Sequence, residues 1–425
     1  MTPLRLFAIA FIFVATSVAW SILGVTVQER TGESDGELRQ EVAQLWGGRH
    51  RQVAPKVWIE EPRIVTRQVQ ENDETGRAVQ RTVTETVYDQ VPLSLEENRI
   101  DVTFDLDQRQ KGLLWYDTYA VHFDAQYLVS HHAVAARHVR VHFAFPSPEG
   151  IYDGFQIQVG GQDAREASDL SAGITADVVA EPGEQIPIRI AYRSRGLDDW
   201  TYAFGEGVAQ VRDFALVAHT DFTGIDFPAG TMSPTAKKRE GSGWRLEWEF
   251  ESLATGQKVG LDMPNRQNPG PLAARISYFA PVSLLFFVTV MVILGVLRGR
   301  SLHPMNYVFV SAGFFAFHLL LAYLVDHLDV HLSFAIAAVV SVLLVVTYLW
   351  LAAGLRVAVL EAGIAQTVFL VLFSYAFFFE GYTGLTVTVG AIATLFVLML
   401  VTGRVDWGKV FARGQERPVS APTSA

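Results

Sequence analysis

Five histidines fall close together at His122, His131, His132, His138 and His142. Imidazole binds zinc and copper, so such a group could in principle hold a metal. On a strand, His138, Arg140 and His142 share one face, with Val139, Val141 and Phe143 on the other. Arg140 between two ligands repels a cation, and no cysteine or tightly spaced carboxylate completes a shell. The group reads as a solvated polar strand face, with no metal and no cofactor. His318 is different, because it stands near the middle of a long apolar segment. An ionisable residue there is costly and is by default a functional candidate. Tyr323 lies on the same segment, and Ser341, Thr347 and Tyr348 lie on the next. Glu361 is the carboxylate inside an apolar segment; it lies near Arg356 and reads as a snorkelling or ion-paired end residue. His318, Tyr323 and Glu361 are therefore the candidate intramembrane polar site. Neutral, hydrogen-bonded contact between helices is one role for His318. A proton relay is the other, and would need a chain of polar groups. No residue is assigned a catalytic role: the chain lacks a phosphate loop ending in Gly-Lys-Ser/Thr, a His-Glu-x-x-His and a Gly-x-Ser-x-Gly. Gly160-Gly161 and Gly205-Glu206-Gly207 read as turns or bulges.

The elements that carry these residues divide sharply. Six apolar stretches run over Leu6–Val27, Ile276–Leu297, Met305–Val325, Leu332–Ala353, Val357–Phe379 and Leu385–Thr402. A helix needs about 20 residues to cross the hydrocarbon, and lipid offers no partner to bare backbone. The first five meet that length, and tilt absorbs the shortfall of the sixth. The first stretch also holds Ser17-Val18-Ala19, which faintly resembles a signal cleavage site. Its 22-residue length favours an uncleaved anchor.

Between the first and second stretches the composition changes. Residues 28–275 hold 26 Lys and Arg against 38 Asp and Glu, a balance of −12 within a chain of net charge −10. The remaining cationic residues are Arg5, Arg298, Arg300, Arg356, Arg404, Lys409, Arg413 and Arg417. Six crossings place all eight on one side, while the opposite short loops hold Asp326, Asp329 and Glu380. The positive-inside rule then expects both termini in the cytoplasm and residues 28–275 in the periplasm. An acidic outer block excludes nucleic acid as a partner. The absence of cysteine excludes disulfides and thiolate chemistry.

From Gln28 a weak amphipathic helix runs to about Gly47, with Leu38, Val42, Leu45 and Trp46 on its apolar positions. Beyond Val53 the texture is β. Arg63–Gln70 and Arg77–Tyr88 flank a polar loop and read as a hairpin. Ile100–Leu106, Tyr119–Phe123, Val139–Phe145, Phe155–Val159, Ile174–Val179, Ile186–Tyr192, Phe214–His219 and Trp244–Phe250 follow as short strands. The expected architecture is an α+β membrane protein. It has an anchor over 1–27, an all-β, sandwich-like block over 28–271 (one domain, or two split near 146), five spans over 272–403 and a cytoplasmic tail over 404–425. Spans three to six read as an ordinary four-helix group.

Several motifs together resemble one family. They are Glu29-Arg30 after the anchor, Gln52 before Pro55, and Glu96-Glu97-Asn98-Arg99-Ile100 with Trp115-Tyr116 and Phe123-Asp124. Ala236-Lys237-Lys238-Arg239 with Gly243-Trp244 and Trp248 comes next. Leu302-His303-Pro304-Met305-Asn306-Tyr307, Tyr323-Leu324 and Val405-Asp406-Trp407 complete the set. The pattern is similar to the CreD family of inner-membrane proteins. The resemblance implies a Gram-negative-type inner membrane, a link to a two-component regulatory system, and envelope phenotypes that include colicin tolerance. It implies no reaction and supplies no catalytic residue. Two expectations of different class follow: a non-enzymatic envelope protein, embedded in the lipid bilayer, that contacts envelope or membrane partners through its outer block, or a transporter or proton-coupled permease built on the C-terminal spans. A membrane-bound enzyme is a third.

Overall fold

The structure is a computed structural model that describes residues 3–72, 78–112, 114–132, 134–163, 171–205, 210–298, 302–379, 381–403 and 405. The loop ahead of Ala78, Glu206-Gly207, Arg300, Glu380, Arg404, Asp406-Trp407 and the tail beyond lie outside the described residues. The chain forms two compact units, residues 1–36 with 267–425, and residues 37–266.

The membrane unit has six helices long and apolar enough to span a bilayer. They are α1 (Pro3–Trp46), α2 (Pro269–Leu297), α3 (Pro304–Leu324), α4 (Val330–Ala353), α5 (Val357–Phe378) and α6 (Thr383–Thr402). The apolar run at Leu6–Val27 and the weaker amphipathic stretch after it form one continuous helix of 44 residues. At ~1.5 Å per residue that is about twice the hydrocarbon thickness, so its second half cannot remain in lipid. Within the first half, the hydroxyls of Thr16, Ser17, Ser21 and Thr26 donate to carbonyls four residues back. That satisfies polar groups which lipid cannot. Gly313 lets α3 approach α4: a Cβ there would stand 2.4 Å from Val345 Cγ2. The same close approach lets Ser341 Oγ donate to the Gly313 carbonyl at 2.7 Å.

Two helices depart from an ordinary bundle. α5 is π-helical over Val357–Gly363 and again over Thr367–Leu372. α6 buries none of its described residues. Spans three to six are thus three packed helices, one of them irregular, and a fourth that leaves its surface to lipid.

The β unit is built around an eight-stranded sheet. Its order is Gln162–Asp163, Asp153–Val159, Gln185–Leu197, Thr118–Ser130, Leu95–Leu106, Val211–Thr220, Gly243–Leu253 and Ala236–Glu240. A four-stranded sheet of Ile174–Ala180, Arg137–Phe143, Lys56–Asn72 and Ala78–Leu93 shares its core. Alternation dictates which faces meet. On Thr118–Ser130, Tyr119, Val121, Phe123, Ala125, Tyr127 and Val129 point inward, and His122, Asp124 and Gln126 alternate with them. Trp200, Trp248, Phe104 and Phe143 fill the interior from other strands. One apolar core runs across both sides of residue 146, so the β residues form one unit rather than two.

The hairpin has an unusual reach. Lys56 to Ile59 pair with the neighbouring strand Arg137–Phe143, but from Glu60 onward the strand pairs only with Ala78–Leu93. Its outer 13 residues therefore make a two-stranded ribbon, ~40 Å long at ~3.3 Å per residue. Arg63 with Asp89 and Arg67 with Glu85 tie one face. The other face carries Ile64 and Tyr88, which are 72% and 60% exposed.

Candidate functional site

The structure does not gather His318, Tyr323 and Glu361 into one site. His318 is fully buried on α3, with its Nδ1 2.9 Å from the Phe314 carbonyl. A carbonyl only accepts, so Nδ1 carries the proton and Nε2 is left as an acceptor. The Trp20 ring of α1 stands edge-on to the imidazole, 5.5 Å between centroids. Trp20 Nε1 and His318 Nε2 are both buried without a hydrogen-bond partner. Tyr323 is engaged elsewhere: Arg30 of α1 lies over its ring at 5.2 Å. Arg30 also donates to the Ala322 carbonyl at 2.9 Å and pairs with Asp326 at 2.8 Å. This clamps α1 onto the C-terminal end of α3, where a cation is favoured.

Glu361 lies at the other end of the bundle. It is 8% exposed, and its ion-pair partner is Arg298 at the end of α2, whereas Arg356, the nearest cation in the chain, is exposed. Both line a cavity of about 470 Å³ with His303, Asn306, Ala353 and Val357. Asn306 precedes His318 by twelve residues, or ~18 Å of helix axis. That distance separates the cavity from the imidazole. Asn306 Oδ1 accepts from Tyr348 at 2.9 Å, which accounts for that tyrosine.

Sequence reasoning passed over Gln366. It is fully buried on α5, and its Nε2 donates to Ser341 Oγ at 2.9 Å. Ser341 passes the contact on to Gly313, so three helices are joined by two hydrogen bonds. Ser283 of α2 donates to the Phe369 carbonyl of α5. These contacts and Glu361 fall in or beside the π-helical turns. π-bulges are frequent at functional sites.

In the β unit His122 lies on Thr118–Ser130, His131 and His132 follow that strand, and His138 and His142 share Arg137–Phe143. His138 meets Asp177 at 3.0 Å, His142 meets Thr175 at 3.1 Å and His132 meets Glu96 at 3.2 Å. His131 is buried with Nε2 on the Ala135 carbonyl. Among the described residues no group of three or more His, Cys, Asp or Glu is placed to hold a metal. The polar residues drawn together are others. His50 is fully buried, its Nε2 3.3 Å from Ser194 Oγ, and burial pushes its pKa down to about 4. Tyr192 donates to Gln52 Oε1 at 2.8 Å beside it. Burial pushes Asp117 up to about 6, although Gln108 donates to it at 2.8 Å. More than 140 residues separate the partners His50 and Ser194, so no local spacing could have pointed to them.

A family profile described as "Inner membrane protein CreD" matches residues 2–408, nearly the whole chain. The chain belongs to the CreD family. It is thus a multi-pass inner-membrane protein, with six helices among the described residues long and apolar enough to span a bilayer and a large β-rich unit. No curated protein matches the chain. Similar solved structures include a putative nutrient binding protein from Legionella pneumophila, 10% identical, with 46% of this chain and 72% of that one covered at a TM-score of 0.33. An M1 zinc metallopeptidase from Deinococcus radiodurans is 9% identical, with 65% and 94% covered at 0.27. Scores this low carry no argument. The geometry of this chain supplies a buried imidazole where α3 meets α1 and a separate charged cavity at the bundle's end.

Proposed function

We propose that this CreD-family protein is a non-enzymatic envelope protein that acts by contact, using its β unit in the periplasm. The observation that supports this is the ribbon. A two-stranded hairpin is marginally stable alone in water, and three strands or a packed face are needed to hold one firmly. A ribbon of this length, bearing exposed Ile64 and Tyr88 on one face, gains from docking against an envelope or membrane partner. The positive-inside argument supports both termini in the cytoplasm. The test is complementation of a deletion strain's envelope phenotype at matched protein level. Ile64→Lys with Tyr88→Ser should abolish complementation and leave thermal stability unchanged. Full complementation by that pair would sink the reading. For orientation, a cysteine at Glu181 should react with an impermeant maleimide in spheroplasts, and one at Leu355 only after permeabilisation.

The permease reading draws on the π-helical turns of α5 and the polar contacts beside them. It requires His318→Gln to fail as badly as His318→Leu, because an amide does not exchange protons near neutral pH. Contact between helices requires Gln to substitute well.

A further inference from the structure

The cavity at the Arg298–Glu361 pair is formed by helix ends. α2 ends at Leu297, α3 begins at Pro304, α4 ends at Ala353 and α5 begins at Val357. Spans start and stop where hydrocarbon gives way to headgroups, so a cavity built from four such ends lies at headgroup depth. Its ~470 Å³ falls in the usual range of ligand sites, ~300–1,000 Å³. Met291, Leu294 and Leu302 continue the lining with apolar surface.

The polar lining has both signs. Glu361 pairs with Arg298 at Nη1, and the guanidinium carries five N–H donors on a side chain that is 45% exposed, so donors remain for a second anion. His303 Nδ1 accepts from the Met305 N–H at 3.3 Å, so a neutral ring carries its proton on Nε2 as a further donor. A simple anion at Arg298 would meet the Glu361 carboxylate. A simple cation at Glu361 would meet the guanidinium. Either would break one pair to make another and leave a low-dielectric charge unmatched. A zwitterion instead replaces one pair with two. No Phe, Tyr or Trp lines the cavity among the described residues. A quaternary ammonium, which relies on aromatic faces and cannot donate a hydrogen bond, is therefore poorly served. A primary ammonium donates directly to the carboxylate.

The geometry points to this cavity as a binding site for a phosphoethanolamine group, with its phosphate toward Arg298 and His303 and its ammonium on Glu361. The headgroup depth and the apolar lining make the source a phospholipid, phosphatidylethanolamine, rather than a soluble phosphoethanolamine. This site is independent of the ribbon and of the contact function argued from it.

The experiment uses the full chain, with native mass spectrometry and nanodiscs of defined composition. The lipids are phosphatidylethanolamine, phosphatidylcholine and phosphatidylglycerol; soluble O-phosphoethanolamine is the competitor. One phosphatidylethanolamine should be retained per chain, with at least tenfold preference over the other two. Glu361→Gln and Arg298→Gln should each abolish the preference. Ala353→Phe fills the cavity and leaves both charges in place, so it should lose the retained lipid while keeping the wild-type melting temperature. It decides the matter if the charge variants fail to fold. Equal retention of all three lipids overturns the proposal, and so does a preference that survives Ala353→Phe. Competition by O-phosphoethanolamine without any lipid preference upholds the headgroup chemistry and overturns the lipid source.

Discussion

In the β unit, His50 is fully buried among Tyr119, Tyr152 and Ser194, and in the membrane unit His318 is fully buried among Trp20, Phe317 and Phe314. The surroundings differ in kind. His50 faces a hydroxyl and phenol rings, and the next residue of its strand, Arg51, is exposed. Its neutral state is conditional on pH, because water at the domain surface can supply a proton when the chain unfolds. His318 has a backbone carbonyl from its own helix and an indole edge from another. Its alternative state is not water but other helices in lipid, so a lost hydrogen bond costs little. Glu361 is a third case. Lipid permits a carboxylate only beside a cation, and the helix ends supply Arg298. Buried polar groups thus follow the solvent that would receive them: protons decide the first, interhelical packing the second, and charge pairing the third.

The largest effect should come from breaking the charge pair. Arg298→Leu leaves the Glu361 carboxylate buried without its partner. The expected loss is about 3 kcal/mol, the low end for a buried pair because the guanidinium is half exposed. Denaturation of the detergent-solubilised protein would measure it, and Arg298→Leu with Glu361→Leu should recover most of the loss. A double variant no more stable than the single would mean that the two residues do not act as a pair.

Next comes the pH dependence of His50. Its folded pKa, about 4, lies below the unfolded value of about 6.5. The unfolded chain therefore takes up the proton first on acidification. The imidazole's contribution is fully present above pH 6.5 and drains away as pH falls towards 4. Between pH 7.5 and 5 the loss is about 2 kcal/mol. His50→Gln should remove it. The difference between wild type and variant, followed by tryptophan fluorescence of the full chain, should shift by that amount. Asp117, whose folded pKa is raised to about 6, works in the opposite sense and is common to both proteins, so it cancels in the difference.

A smaller effect is expected at His318. His318→Leu should cost at most about 0.6 kcal/mol, the average for a hydrogen bond between helices in lipid, because the imidazole bonds the Phe314 carbonyl of its own helix and meets α1 through the Trp20 ring. A cost matching that of Arg298→Leu would erase the distinction between a neutral and a charged buried group. The smallest belongs to Arg30→Gln. Its pair with Asp326 is partly exposed, and a few tenths of a kcal/mol is the usual worth of such a contact. Loss of more than 2 kcal/mol would make the α1–α3 clamp a central support rather than a minor one.

The sequence by itself determined the spans, most strands of the two larger sheets and the alternation on Arg137–Phe143. Those features rest on local periodicity and on the length of apolar runs, which neighbouring residues carry. It also singled out His318 and Glu361, because charge in an apolar run is visible without a fold. Tertiary structure decided what each one meets. Glu361 turned to Arg298 across two helix ends rather than to Arg356 beside it in the chain. Ser341 was drawn between Gln366 and Gly313, and Gln52 found Tyr192. The length of the free ribbon was likewise hidden, since a strand's pattern does not say where its second neighbour stops. These partners are 25 to 140 residues apart, and only the packing of distant segments brings their atoms within reach.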